Sequence, residues 1–545
     1  MQRGSKWSVL FHLAVAVLLF SLPGLRLGVT AWHLPREPRL VFGALALAYL
    51  AAVALFSLRG RSGAAGLIDG LLISLAAFGA VTIMVLALDY QAPRLAYFAA
   101  IVLGVAALTL APFLARFMAP LSVLAVIATG VVVAIPATTK VVIRADAPMH
   151  RTDVAIGSSL YDVDLTWFKN AIPAGSKYNA FGSVAEFGDG SFLFADGDGN
   201  LFHVTLTAEA DPQVQRLPTK VPLNIEGFDK ASGESKAGQF FRIMDVRFLE
   251  KDGKLRVLAS HHWWNDAKKC TVLRVSTLET TTAKFLSESE DHDWKDVFES
   301  TPCLPLQGTD WPFSGMEGGG RIRFLDDSTF ILSIGDHGFN GVVYSTDYVS
   351  NPEASYGKTW KVHLDGRKPE LFTIGHRNPQ GLFIDPNGAV WETEHGPQGG
   401  DELNLLEAGL NYGWPHVTYG TDYNKHTWPR NPVQGQHTGY TMPVYVWLPS
   451  IGTSNLIRLR GDLFPLWKDD LIVSSLVGGE VFRIRLDGKR VVFAEPLRIG
   501  ERVRDLIEDH TGRIIMWTDS RSIIEMRPSK SPLESVNNTA QDAPR

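Results

Sequence analysis

Residues 375–415 read GHRNPQGLFIDPNGAVWETEHGPQGGDELNLLEAGLNYGWP. Leu382-Phe383-Ile384 is a short apolar run. Asp385-Pro386-Asn387-Gly388 is a turn, in which Pro presets φ and Gly tolerates φ > 0, and Ala389-Val390-Trp391 returns as a second strand. His395-Gly396-Pro397-Gln398-Gly399-Gly400-Asp401-Glu402 then sets three Gly and one Pro around two carboxylates and an imidazole. A backbone this free can turn several carbonyl oxygens to one point, and carboxylates beside them suit a hard cation such as Ca²⁺. Arg377, Asn378 and Gln380 place donors at the mouth of the first strand. A solvated hairpin loop with an acidic tip is the alternative reading of the same residues.

Outward from this stretch the strand–turn–strand pattern recurs in six units. They are Ser183–Thr205, Met244–Val275, Gly320–Leu364, Gln380–Leu405, Ser454–Leu486 and Val503–Met526, with turns such as DGDG, EKDGK, LDD, DPNG, WKDD and DHTGR. Hairpins repeated in this way predict an all-β, six-bladed β-propeller over 176–528. The acid run Glu288–Asp293 reads as a solvated insertion, and residues 529–545 as a polar, disordered tail.

The first part of the chain has a different composition. Leu10–Leu22, Leu40–Leu58, Ala64–Leu88, Leu95–Leu114 and Leu121–Ala137 are apolar runs in which Asp69 is the one acidic residue, with Asp89 just after the third. Most approach the roughly 20 residues that span a bilayer as a helix. Residues 1–140 are therefore expected to form an α-helical membrane domain of about five spans, with membrane lipid as a partner, and 141–175 a linker. Arg3 and Lys6 precede the first span. A cytoplasmic N-terminus and five spans would put the propeller outside the cytoplasm of a multi-pass inner-membrane protein. The two cysteines, Cys270 and Cys303, either pair, which fits an oxidising compartment, or remain buried thiols. The net charge of −5 gives no sign of nucleic-acid binding.

GHRNPQGL, EHGPQGGDELN and NYGWP stand in the opening stretch; PVYVWLPS (443–450), FPLWKDDLIVSSL (464–476), VFRIRLDG (481–488) and RVRD (502–505) follow. Together they resemble the soluble quinoprotein glucose dehydrogenase and aldose sugar dehydrogenase family, also called the glucose/sorbosone dehydrogenases, over roughly residues 175–528. The resemblance implies a six-bladed propeller that uses pyrroloquinoline quinone (PQQ) and Ca²⁺. It implies a sugar or other polyol substrate, and a membrane quinone or similar electron acceptor. It carries over residue by residue. The carbonyls of Gly396 and Pro397 match the PQQ-side Ca²⁺ ligands, and Glu402 and Tyr412 match a second, structural Ca²⁺ site. Arg377, Asn378 and Gln380 match cofactor-facing positions. Arg502 and Arg504 match too, two residues apart and so on one strand face, or they form a surface ion pair with Glu501 or Asp505. Tyr445 and Trp447 either stack on a planar ligand or belong to the core.

Two positions depart from the family pattern. Where the family has its catalytic His, the segment SGMEGGGRIRF places Glu317; where it has a quinone-contacting Lys, this chain has Val477. Glu317 is the expected base, with His395, His337 and Asp336 as further candidates. Two functions remain open at this point. One is a membrane-anchored PQQ/Ca²⁺ sugar dehydrogenase, favoured by the arginines, Asn378 and Gln380. The other is a non-catalytic, calcium-stabilised propeller that binds a sugar or polymer, favoured by Glu317 and Val477.

Overall fold

A computed structural model describes residues 148–529, apart from the short stretches 174–181, 189, 208–209, 234–239, 290–292, 307–312, 424–425 and 432. The apolar runs expected to span a membrane, and residues 530–545 of the expected disordered tail, lie outside the described residues. Among the described residues no helix is long and apolar enough to cross a membrane.

Among the described residues twenty-six strands form six antiparallel sheets. The first two are β1 (His150–Gly157) and β2 (Asp162–Lys169). Blade 1 then comprises β3 (Gly182–Glu186), β4 (Ser191–Asp196), β5 (Asn200–Thr205) and β6 (Gln213–Lys220). Blade 2 comprises β7 (Ile243–Lys251), β8 (Lys254–Asn265), β9 (Cys270–Thr280), β10 (Lys295–Glu299) and the short β11 (Leu304–Pro305). Blade 3 has β12 (Gly319–Asp326), β13 (Thr329–Ile334), β14 (Lys358–His363) and β15 (Glu370–Ile374). Blade 4 has β16 (Pro379–Ile384), β17 (Val390–Glu394), β18 (Asp401–Leu406) and β19 (Tyr445–Trp447). Blade 5 has β20 (Thr453–Arg458), β21 (Leu471–Ser475), β22 (Glu480–Asp487) and β23 (Arg490–Arg498). Blade 6 has β24 (Val503–Glu508), β25 (Ile514–Thr518) and β26 (Ile523–Pro528). The inner strands β3, β7, β12, β16, β20 and β24 contact one another in a closed ring, so the expected six-bladed propeller is present.

Stacked blades bury both faces of their middle strands. That is why β13 (TFILSI) and β25 (IIMWT) are buried at every position instead of alternating. The core runs between blades as clusters such as Trp391, Leu403, Trp447, Leu456 and Phe482. Among the described residues two short α-helices, α1 (Ile225–Ser232) and α2 (Thr282–Ser287), sit in insertions and anchor there through Phe228 and Phe285.

The segment 141–175, expected to be a linker, is corrected in part. β2 pairs with β26 and β1 with β2, so residues from both ends of the domain complete blade 6. Val163, Leu165 and Phe168 are fully buried there. The pairing gives the last sheet two outer strands and fastens the ring. Cys270 and Cys303 are disulfide-bonded, closing blade 2 across a sequence separation of 33.

Candidate active site and cation site

The inner strands all begin at one mouth of the central channel, and the predicted site residues stand just before them: Glu317 before β12, Arg377 before β16, Arg502 before β24. The Gly396–Pro397 turn leaves β17 at the same mouth. Buried Asp401 fixes that turn, accepting the Gly396 N–H at 3.1 Å and the N–H groups of Ile451, Gly452 and Thr453 at 3.0, 2.6 and 3.3 Å. A Cβ on Gly396 would lie 2.2 Å from the Gly399 carbonyl oxygen, so the turn closes only with Gly at this position.

Arg377 links the turn to the expected base. One guanidinium nitrogen donates to the Gly396 carbonyl at 2.9 Å, and the other forms an ion pair with Glu317. The guanidinium also lies over the Trp414 ring, 5.6 Å from its centroid. Glu317 has a left-handed backbone (φ 55°), a conformation that costs a non-Gly residue energy. Its carbonyl accepts the His337 N–H at 3.3 Å, and a Cβ at Gly335 would lie 1.9 Å from that oxygen.

Glu317 is hydrogen-bonded to Asp336, and the pair titrates unequally. Burial pushes Glu317 up, but Arg377 and the Asp336 hydrogen bond outweigh it and hold the carboxyl below its ordinary value. Burial and the Glu317 charge both push Asp336 well above the usual carboxylate range. Two carboxyls this close cannot both ionise, so Glu317 carries the charge and Asp336 the proton. Asp336 is held by the Trp414 indole N–H at 2.7 Å, the Asn340 amide at 2.9 Å and the Gly338 N–H at 2.8 Å. Burial drives the neighbouring His337 down to about 3 and leaves it neutral, with both ring nitrogens lacking hydrogen-bond partners. His395 is neutral for the same reason, with its Nε2 on the Thr453 carbonyl. Among the candidate bases, Glu317 is therefore the one that stands ionised at the mouth.

Behind the turn lies a buried acidic cluster. Glu392 and Glu394 share one face of β17, opposite Asn404 and Glu402 on β18. The single Asn404 amide nitrogen serves all three carboxylates, at 3.0 Å (Glu392), 3.2 Å (Glu394) and 3.4 Å (Glu402). His376 Nδ1 is 3.3 Å from Glu394, and the His376 ring stacks on Tyr412. Burial and mutual repulsion push Glu392 and Glu402 well above the usual range. Glu392 Oε1 and Asn404 Oδ1 are buried without a hydrogen-bond donor. Glu394, Glu402, Tyr412 and the Gly396 backbone line a cavity of about 10 Å³, room for roughly one water or ion. Crowded carboxylates beside a one-ion cavity, which Arg377 also lines, fit a hard divalent cation. Tyr412 offers its carbonyl rather than its phenol, because the hydroxyl already donates to the Leu405 carbonyl at 2.6 Å. The Tyr412 carbonyl also accepts from His437 Nε2 at 2.9 Å.

The remaining predicted positions divide. Asn378 and Gln380 are buried at the mouth and bonded to each other at 2.7 Å. Arg502 and Arg504 do lie together, but their partner is Asp519, at 2.8 Å from both, and neither Glu501 nor Asp505. Arg502 also donates to the Leu476 carbonyl at 2.9 Å, which puts a cation beside the exposed Val477. Arg377, Arg502 and Arg504, with Asn378 and Gln380, fit a planar polycarboxylate such as PQQ. The arginines start out neutralised in part by Glu317 and Asp519. Trp447 needs correction as a stacking residue. Alternation along β19 turns Tyr445 and Trp447 toward the blade core, where Trp447 packs edge-on against Tyr445 and Phe482. The side chain turned outward is Leu448, beside Gly399 of the turn.

Sequence reading missed Glu392, Glu394, His376 and Asp519. The first two carry a signal: WETE sets two carboxylates at i and i+2 in a strand with apolar neighbours, hence on one buried face. Asp519 carries none, since only the β25–β26 turn brings it to the arginines.

Residues 180–524 match the glucose/sorbosone dehydrogenase family model. The aldose sugar dehydrogenase YliI of Escherichia coli is 29% identical over 243 residues, 42% of this chain and 62% of that protein. The quinoprotein glucose dehydrogenase B of Acinetobacter calcoaceticus is 27% identical over 301 residues, 41% of this chain and 62% of that protein. The chain thus spans about three-fifths of the length of these curated relatives. The crystal structure of the soluble E. coli aldose sugar dehydrogenase in its apo-form superposes with a TM-score of 0.53 at 21% identity, over 67% of this chain and 99% of that one, which speaks to the fold. Six closed blades, the Gly-rich turn set against them and the match over residues 180–524 lead to one conclusion: this chain belongs to the glucose/sorbosone dehydrogenase family.

Proposed function

We propose that the chain is a PQQ- and Ca²⁺-dependent sugar (aldose) dehydrogenase, anchored in the inner membrane by its N-terminal helices with the propeller outside the cytoplasm. One observation carries the catalytic part. Arg377 joins the ionised Glu317 to the Gly396 carbonyl, so base, cation turn and cofactor arginines meet at one mouth. The apolar runs before residue 140 support the anchor, and the Cys270–Cys303 disulfide fits an oxidising compartment.

PQQ, when bound, supplies a two-electron acceptor for the hydrogen leaving a sugar carbon. The chain supplies the rest. The Glu317 carboxylate takes the hydroxyl proton of the substrate. Asp336, already protonated, holds Glu317 in place and keeps its own proton. Arg377 orients Glu317 and can donate to the substrate oxygen. Glu394 and Glu402, with Glu392 beside them, would hold a cation that stiffens the turn, and the Gly396 and Pro397 carbonyls would be its ligands on the cofactor side.

Arg502 and Arg504 on Asp519, and Val477 in place of a cation, favour the second reading, a calcium-stabilised propeller that binds a sugar or polymer without oxidising it. Reconstitution of the purified chain with PQQ and Ca²⁺ separates the two. A bound-cofactor spectrum with aldose-dependent dye reduction supports the enzyme. Absence of both at saturating PQQ and Ca²⁺ leaves the binding protein.

A further inference from the structure

Residues 335–357 leave the sheet between β13 and β14, and their first turn carries Asp336. Among the described residues one isolated bridge, Asn340 to Asp347, pairs this loop with itself. A single side chain gathers its far half. Lys358, the first residue of β14, is 1% exposed, and its ammonium donates to three loop carbonyls: Tyr348 at 3.0 Å, Val349 at 2.9 Å and Tyr356 at 3.0 Å. An ammonium has three N–H donors, so the acceptors match them in number.

The grip reaches Asp336 through the loop itself. The Tyr348 N–H donates to the Phe339 carbonyl and the Phe339 N–H to the Asp336 carbonyl, each at 2.9 Å. The Asn340 amide donates to the Asp336 carboxyl at 2.9 Å. The Tyr348 ring contacts those of Phe339 (4.8 Å) and Tyr356 (5.7 Å), and Tyr356 meets His337 edge-on at 5.4 Å.

This arrangement needs the charge on Lys358. A neutral amine has two N–H groups and a lone pair, so one of the three carbonyls would face that lone pair. Little around it holds the proton on. Among the described residues no carboxylate forms a salt bridge with Lys358; the Asp347 charge acts on it, and Asp347 is paired with Arg430. Opposite Lys358 on the flanking strands stand Ile334 and Ile374. His376, whose N–H meets the Gly357 carbonyl, has its ring on Tyr412 and Glu394. Burial pushes the Tyr356 phenol up and holds His416, beside Ser350, down. Burial pushes Lys358 itself down to about 8, with the Asp347 charge opposing.

We propose that Lys358 is a positioning residue whose ammonium, only while charged, clamps the 335–357 loop and so holds Asp336 against Glu317. Its effect on turnover rests on the dehydrogenase reading above; the clamp itself does not. The sign of the pH effect on stability separates the clamp from general unfolding. The folded value lies below the ordinary lysine value of about 10.4, so between the two the unfolded chain holds more protons. Rising pH therefore costs no global stability through this group, while the loop opens.

The test uses purified full-length protein at saturating Ca²⁺, with limited subtilisin digestion at pH 7 and pH 9. Cuts within residues 339–348 are read by mass and corrected with a free peptide of the same sequence. In the parent the corrected rate should rise at least tenfold from pH 7 to pH 9, with no fall in melting temperature. Lys358→Met should be cut at pH 7 as fast as the parent at pH 9, and equally fast at both. With PQQ, kcat of the parent should fall through pH 8, and that of Lys358→Met should be at least tenfold lower at pH 7 with the alkaline limb gone. If the variant fails to fold, the two pH values of the parent decide alone. If the parent turns over no sugar, the dehydrogenase reading fails and the digestion decides the clamp. The proposal is overturned if the loop of the parent is cut equally at both pH values, if Lys358→Met resists at pH 7 as the parent does, or if an alkaline limb survives in Lys358→Met and so belongs to another group.

Discussion

Asp336 and Glu317 share one proton, and it resides on Asp336. With Arg377 on its other side, Glu317 stays ionised at a pH where a histidine in the same place would already be protonated. The acid limb of kcat against pH should therefore fall below the ordinary carboxylate value. Glu317→His should move it up toward the imidazole range, near pH 6.5. Glu317→Ala should lower kcat by about 10²- to 10⁴-fold. Full activity in Glu317→Ala would remove Glu317 as the base.

The same pair makes Asp336→Asn informative. An amide donates a hydrogen bond as the protonated acid does, so this variant should keep kcat within about tenfold, whereas Asp336→Ala loses the donor and should fall further. If Asn and Ala damage kcat equally, Asp336 works as an anion and the proton has been placed wrongly.

The acidic cluster predicts a coupling between pH and calcium. Glu392 and Glu402 have folded values raised above the unfolded ones. Their contribution is therefore best below the ordinary carboxylate value and is lost as pH rises toward the raised values. In chelator, the melting temperature of the propeller should fall as pH climbs from mildly acidic to neutral. Ca²⁺ binds the ionised form and should abolish that fall, so the calcium-induced rise in melting temperature grows with pH. Glu392→Gln should flatten the chelator curve. A calcium effect independent of pH would place the cation elsewhere.

Much of this was legible in the sequence, for local reasons. Each blade core is a hairpin whose Gly/Asp turn and flanking apolar runs are neighbours in the chain, so all six units could be read from DGDG, DPNG or WKDD. The strands that close the ring were not. β1 and β2 find their partner β26 at the opposite end of the domain, and the mostly exposed β1 (HRTDVAIG) lacks an apolar stripe. Motif position located Glu317 and Arg377, but not that Asp336 holds the proton between them and Trp414, which only the fold brings about. Trp447 shows the limit of reading aromatics: the choice between ligand and core rests on one step of strand alternation, and here Leu448 took the outward place.

The disulfide should matter for stability. Bridging a separation of 33 removes chain entropy from the unfolded state worth about 3–4 kcal/mol. Cys270→Ser with Cys303→Ser should lower the melting temperature in oxidising buffer, and a reductant should lower that of the parent but leave the double variant unchanged. If the reductant has no effect on the parent, the cysteines were not bridged in the purified protein.

The location of the propeller follows from the expected count of spans. An enzyme reporter that works only in an oxidising exported compartment, fused after Pro528, should be active, and a cytoplasm-dependent reporter silent. The reverse pattern would place the propeller inside.

Val477 tests the cofactor site most directly. The two arginines nearest it are drawn to Asp519, and Arg502 also spends a donor on the Leu476 carbonyl next to Val477. An incoming polycarboxylate must compete with Asp519 for both. Val477 is 55% exposed, so a lysine there costs little in folding. It would add a cation beside the two arginines. A charge-assisted hydrogen bond contributes about 1.5–3 kcal/mol, so Val477→Lys should tighten PQQ binding roughly ten- to a hundredfold, read by calorimetry at saturating Ca²⁺. Val477→Met, matched in length but uncharged, should leave the affinity where it was. If Met tightens binding as much as Lys, the gain comes from packing and the site is not short of a cation. If the parent and both variants bind no PQQ, the arginines serve another anion, and the binding-protein reading takes the place of the enzyme.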